Sequence, residues 1–355
     1  MPQETTRSRV QKVLRGEKPS DRLPMLEWAV WWNLTIDRWK GEGLPDGLSN
    51  DGIKRYFGLD VDYQLWFPTF APGATRDSAK KHWVENEADY DELLSHLRPD
   101  IPPYDQEIWK QRAAEQAAGE VVIWITLNGF FWWPRVLMGI EPHLFAFYDK
   151  PNLMHRMNQD LVEYQLYSID YFCQNTCVPD FMSFAEDMSY NHGPMISKEL
   201  FDEFMAPYYK QIIPKLKQYG IVPIIDSDGD VEPLISWFEE IGLDGIAPLE
   251  RMAGVDVNRI RTNHSDWIMV GGFDKTVMHR GEEAMRAEFE RLMPAIQSGR
   301  YIPSVDHQTP PSVSIDDYRI YIKLLKEYAT RAVEIHDFNM SDGSDKSDMS
   351  DKNYL

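Results

Sequence analysis

Cysteine is nearly absent from this chain: there are two in 355 residues, Cys173 and Cys177, four apart in a segment of helical periodicity. With no second pair to complete a thiolate metal site, they are expected to pack inside a helix. Long apolar runs are absent too, and none nears the roughly 18 residues of a membrane span. Basic charge is scarce, with 37 Lys and Arg against 57 Asp and Glu, a net of −20. Such a balance excludes nonspecific nucleic-acid binding, which needs cations to neutralise phosphates, and argues against anionic membrane surfaces. Nothing resembling a signal peptide precedes Arg7, so the expectation is a reduced, cytoplasmic protein. The chain also lacks a phosphate loop, a serine-nucleophile motif and a dinucleotide fingerprint, the pair Gly271 and Gly272 being too little to make one.

What is present is a pattern that recurs. At 222–230, VPIIDSDGD, an apolar run stops at Asp226, Ser227, Asp228 and Gly229, which reads as a buried strand ending in a carboxylate-bearing turn. FMSF at 181–184 ends in Glu186 and Asp187, and GIAPL at 245–249 ends in Glu250. IMVGGF at 268–273 ends in Asp274, and YIPSV at 301–305 ends in Asp306 and His307. Residues 23–26, 61–67 and 121–126 supply three earlier strand candidates, the first ending at Glu27 and the third at Asn128. Helical patterns separate them, among them 151–174, 197–219 with Ser197 as N-cap, 282–298 and a closing 316–336. Eight strands alternating with helices predict an α/β fold: a single (β/α)8 barrel over residues 1–338 with an N-terminal helical extension. The Ser/Asp-rich stretch 339–355 has no apolar periodicity and reads as a flexible tail.

In such a barrel the strand ends converge on one mouth, so Glu186, Asp187, Asp226, Asp228, Glu250, Asp274 and His307 would share a cavity. So many carboxylates repel one another unless some are protonated, paired with a cation or bound to a metal. One His with two or three carboxylates and an open position suits zinc or a similar divalent ion acting as a Lewis acid. The plainer reading of Asp226 and Asp228 is that they cap the next helix. Two aromatic clusters follow strand ends: Trp28, Trp31 and Trp32 after the first, and Phe131, Trp132 and Trp133 after the third. Each could be core packing or a substrate wall, and the first could also be a partner surface.

These pieces resemble the uroporphyrinogen decarboxylase superfamily, which also contains cobalamin-dependent methyltransferases. The resemblance runs from RVQKVLRGEKPSDRLP to about Tyr328. It rests on ISKELFDEFMAPYYKQIIPKLK, DSDGDVEPLISWFEEIGLDGIAPLE, IMVGGFDK and YIPSVDHQTPPSVS. It implies a single β/α barrel. It also implies, for true decarboxylases of the family, arginines soon after the first strand that hold the substrate's carboxylates, whereas here that stretch is MLEWAVWWNL. In the thiol-alkylating methyltransferases of the family a His-x-Cys pair and a later Cys hold zinc. Asp226 and Asp228 stand at the pair's approximate place, and His307 lies near that of the later Cys.

Oxygen and imidazole ligands leave zinc a stronger Lewis acid than thiolates do, which suits removal of a methyl group from oxygen. The resemblance therefore implies a methyltransferase that moves a methyl group from a small methoxylated, aromatic compound to a corrinoid carried by a partner protein. Asp226, Glu250 and His307 are the expected metal ligands. Glu186, Asp187 and Asp228 are expected to orient substrate or supply a proton, and Trp28, Trp31, Trp32, Phe131, Trp132 and Trp133 to line the pocket. A homodimer is the further expected assembly. The alternatives are a metal-free decarboxylase of another carboxylate substrate and a noncatalytic binding barrel.

Overall fold

All eight side chains of the run VVIWITLN, residues 121–128, are buried, as expected of a strand covered on both faces. The computed structural model describes residues 4–76 and 80–340, with side chains as far as 334 in the last helix. Its strands are β1 (Val61–Trp66), β2 (Val121–Asn128), β3 (Phe181–Ala185), β4 (Ser189–Tyr190), β5 (Gly193–Pro194), β6 (Val222–Asp226), β7 (Gly245–Ala247), β8 (Ile268–Phe273) and β9 (Tyr301–Val305). The strands β4 and β5 form a small antiparallel hairpin, and the other seven make one parallel sheet in the order β1-β2-β3-β6-β7-β8-β9. Neighbours in the sheet follow one another along the chain, and helices such as Pro151–Asn175, Ala206–Gln218 and Glu282–Ser298 connect them. This is the β/α succession read from the sequence.

The sheet curls around a common interior. Asp62 of β1, Trp124 of β2, Phe181 of β3, Ile224 of β6, Val270 of β8 and Ile302 of β9 all line one cavity of about 20 Å³, together with Glu27 and Trp28. Leu14, from the helix Thr6–Arg15, lines it as well, so the N-terminal extension packs against the barrel rather than standing apart.

The eighth strand expected at 23–26 does not form; among the described residues the sheet has seven strands. The stretch is buried and lies between β1 and β9 without a ladder to either. Pro24 has no N–H to give, and its neighbours bond irregularly. Leu23 N bonds the Ala329 carbonyl of the helix Ile315–Met340 at 3.1 Å. Met25 exchanges two bonds of 2.9 Å with Asp60, one to its carboxylate and one from its N–H. Glu27 then does with its side chain what a backbone would have done. It accepts from Val305 N (3.2 Å), Ser304 Oγ (2.9 Å) and Tyr318 Oη (3.1 Å).

A second departure is local. The helix expected over 197–219 is two, Lys198–Phe204 and Ala206–Gln218, broken at Met205. Met205 leaves helical geometry at φ −127°, and Pro207 falls in the first turn of the second piece, where its missing N–H costs no bond within that helix. Ser197 caps the first piece as expected, accepting from Leu200 N. Cys173 and Cys177 are free and pack on the core, and burial pushes both thiols up to about 12, which leaves them unreactive. Among the described residues no helix is long and apolar enough to cross a membrane. Of the expected tail at 339–355, residues 339 and 340 belong to the last helix and 341–355 lie outside the described residues.

Candidate active site

At the carboxyl end of β6 the chain turns sharply through Ser227, Asp228 and Gly229. Gly229 has φ +83°, and a Cβ there would sit 2.8 Å from the Tyr190 backbone of the β4–β5 hairpin, so the turn needs glycine. Neither Asp226 nor Asp228 caps the helical turn Glu232–Leu234: its N-cap is Val231, and the nearby Asp230 accepts from Glu232 N at 3.4 Å. Both acids are thus left for the mouth. Glu250, just beyond β7, accepts from Gly229 N at 3.0 Å, which ties one strand end to the next.

Asp228, Glu250 and His307 come together. One ligand atom from each lies within 4.8 Å of the others, and all three residues are partly exposed. His307 Nε2 is 3.6 Å from Asp228 Oδ2, and that carboxylate raises the imidazole pKa above its ordinary value. Asp226, expected among the ligands, is not part of this group. Its carboxyl sits deeper, where burial and the charges of Asp187 and Asp228 push its pKa well above the usual carboxylate range. Asp187 is shifted upward for the same reasons, burial first and Asp228 second. Its backbone is left-handed, φ +42°, a conformation non-glycine residues rarely hold; it brings Oδ1 to 3.4 Å from Asp228 N.

Two cations temper this acidity, and neither was singled out in the sequence. Lys275 Nζ stands 3.6 Å from Glu250 Oε1 and 3.4 Å from Asp306 Oδ1. Asp306 is buried, and that burial lifts its carboxyl to about 6 while Lys275 draws it down. Arg135 Nη1 donates to the Asp187 carbonyl at 3.0 Å and lies 3.9 Å from Asp187 Oδ2. A signal for Lys275 was present, since it follows the strand-ending Asp274, itself a cap that accepts from Thr276 N. Arg135 carried none beyond standing one helical turn after Trp132.

Glu186 does not reach the mouth. Its side chain has no solvent exposure and accepts from the N–H groups of Phe130, Phe131 and Trp132 at 2.8 to 2.9 Å, and from Tyr209 Oη. Burial lifts its carboxyl to about 7 against the pull of these donors. Three of them are backbone groups at the start of the helix Trp132–Met138, where a negative charge is favoured. Glu186 therefore fixes the loop that carries the second aromatic cluster.

The aromatic residues divide between two settings. Trp31, Phe131 and Trp133 are core: Trp31 packs on Trp39 and Tyr318, Phe131 on His143, and Trp133 on Phe70. Trp28, Trp32 and Trp132 keep an open face. Trp28 stacks on Trp124 at 4.5 Å above the interior cavity. Trp132 lies 6.4 Å from Trp66, a ring at the end of β1 that is 46% exposed and was read from the sequence simply as strand. Trp32 lines a rim hollow with Leu34 and Gln308, next to His307.

A parallel, barrel-like α/β sheet with acids, a histidine and aromatic rings gathered beyond its strand ends has the layout of a barrel enzyme's mouth. The chain belongs to the uroporphyrinogen decarboxylase (URO-D) family, whose profile matches residues 112–328, more than half of it. A curated uroporphyrinogen decarboxylase from Nautilia profundicola is 22% identical over 193 residues. The match covers 52% of each protein, so the chain spans about half the length of that relative. A solved methyltransferase from Methanosarcina mazei superposes with a TM-score of 0.64 at 14% identity, over 92% of this chain and 99% of that one; the likeness is one of fold.

Proposed function

We propose that this chain is a metal-dependent methyltransferase of the URO-D family. On this reading it takes a methyl group from a small methoxylated aromatic compound and passes it to a corrinoid carried by a partner protein, in the cytoplasm. The observation that carries the reading is the convergence of Asp228, Glu250 and His307 within 4.8 Å at the barrel mouth. Two carboxylates and an imidazole suit a divalent ion such as zinc, and the partial exposure of all three leaves room for a substrate atom.

Asp228, Glu250 and His307 would hold the ion; when bound it supplies Lewis acidity toward the leaving oxygen. Asp226, deep beside Asp187 and Asp228, is held toward its protonated form and would offer that oxygen a proton. Asp187, next to Asp228, would orient the substrate, and Trp28, Trp66 and Trp132 would pack on its ring. Trp32 and the exposed Leu34 would face the incoming partner. Glu186 would position Trp132 through the three N–H groups it accepts. A homodimer belongs to this reading as well.

Lys275 favours a second reading, because a cation already stands 3.6 Å from Glu250. Without a metal, Lys275 and His307 would stabilise and protonate a carbanion left by decarboxylation. Metal analysis of the purified protein separates the two. Methyl transfer expects about one divalent ion per chain, lost in His307→Ala and Asp228→Asn but kept in Asp226→Asn. It further expects demethylation of methoxyaromatics with a corrinoid acceptor to vanish in His307→Ala while the circular dichroism spectrum stays unchanged. Protein that takes up no ion even after soaking in zinc would favour decarboxylation.

A further inference from the structure

Arg135 is a cation with little assigned to it. Its Nη1 gives one hydrogen bond, to the Asp187 carbonyl, and among the described residues its other four N–H donors have no acceptor. The guanidinium lies 5.0 Å over the Trp132 ring, and its side chain remains partly exposed. The Trp66 indole, held by its Nε1 bond of 3.3 Å to Asn128 Oδ1, faces Trp132 at 6.4 Å with 47° between the ring planes. These residues follow the ends of β1 and β2, so they stand on the same mouth as the acids. Lys275, the other mouth cation, is engaged by two carboxylates.

We propose that Arg135, Trp66 and Trp132 form a subsite for an aromatic monocarboxylic acid, with its carboxylate on the Arg135 fork and its ring against the two indoles. The inference rests on the methyl-transfer reading and narrows its substrate to methoxylated aromatic acids. A planar guanidinium with free donors matches a carboxylate in two parallel bonds, and indole faces match an aryl ring. The mouth's cations fix the direction. Lys275 is held by Glu250 and Asp306, so the carboxylate settles on the open donors of Arg135 and the methoxy end points inward, toward Asp228, Glu250 and His307. Asp187 measures the span: its Oδ2 is 3.9 Å from Arg135 and its Oδ1 is 3.4 Å from Asp228 N. Arg135 and the Asp228 turn therefore flank one carboxylate, within the reach of a substituted benzoic acid.

Calorimetric binding of 4-methoxybenzoate and its uncharged analogue 4-methoxybenzamide to the full chain tests this without any turnover. Wild type should bind the acid about tenfold or more tighter than the amide, and that preference should shrink between low and high salt. Arg135→Gln should weaken the acid about 10- to 100-fold and leave the amide within about twofold. Trp66→Leu, at an exposed ring, should weaken both alike. An acid bound no better than the amide by wild type would overturn the subsite. So would an Arg135→Gln protein that binds the acid unchanged, or tighter binding of a trimethylanilinium cation than of the acid. Each of these leaves metal content and demethylation of neutral methoxyaromatics, the measures of the parent reading, untouched.

Discussion

Replacing Glu27 by glutamine should change how the stability of this protein depends on pH. Glu27 is buried at the seam between β1 and β9, and burial lifts its carboxyl to about 7 against the donors Ser304, Val305 and Tyr318. An unfolded chain releases this proton near the ordinary value of 4.5, while the folded chain keeps it to about 7. Between those limits the folded state binds the extra proton. Its contribution is therefore complete below pH 4.5, declines as pH rises and is lost above 7. At about 1.4 kcal/mol for each pH decade the decline amounts to about 3 kcal/mol. Glutamine can turn its NH2 toward the Tyr318 hydroxyl, which can accept, so any cost of the exchange is an offset of about 1 kcal/mol that does not vary with pH. The slope rather than the offset is thus diagnostic. Urea unfolding between pH 4.5 and 8 should show wild type losing about 3 kcal/mol more than Glu27→Gln across the window. Parallel profiles for the two proteins would refute the placement of a protonated Glu27 in the seam.

Other substitutions probe the rest of the site. Gly129→Ala would place a Cβ 2.2 Å from Glu186 Cδ and 2.6 Å from the Ala185 carbonyl, so a loss of about 3 kcal/mol or more, or failure to fold, is expected in thermal melts. Trp133→Ala should cost about 3–5 kcal/mol as a core truncation, whereas Trp66→Ala should cost less than about 1 kcal/mol, both read by urea midpoints. Glu186→Gln, which turns an amide NH2 toward donors, should destabilise by about 2–4 kcal/mol and lower activity through the displaced Trp132 without changing metal content.

Six of the seven strands were legible in the sequence as apolar runs stopped by a polar turn, and β1, VDYQLW, by its alternation. Residues 23–26 share that composition yet form no ladder, because Pro24 and the Glu27 side chain settle the hydrogen bonds in a way no periodicity records. At the site, the pattern brought the right strand ends together but could not rank the acids within one turn. Asp226 and Asp228 differ by two residues, and the reversal at Gly229 sends Asp228 to His307 and leaves Asp226 deep. The aromatic clusters fared similarly. Composition placed six rings near the mouth, but rotamer and loop path decided that Trp31, Phe131 and Trp133 turn into the core. Glu186 was the opposite case: a strand-end acid whose partners are backbone N–H groups, invisible to a reading of side chains.

The seam at Leu23–Glu27 has a consequence for how this protein avoids its neighbours. A seven-stranded sheet leaves two flanks, β1 and β9, whose unpaired backbone groups could template a strand from another chain. Here a buried carboxylate and an irregular segment cover both flanks, so the edges are hidden without being sealed by a ladder. Slow hydrogen exchange at Val305 N would depend on one side chain, Glu27, rather than on a run of cooperating bonds. Opening that segment would expose both flanks at once to another chain.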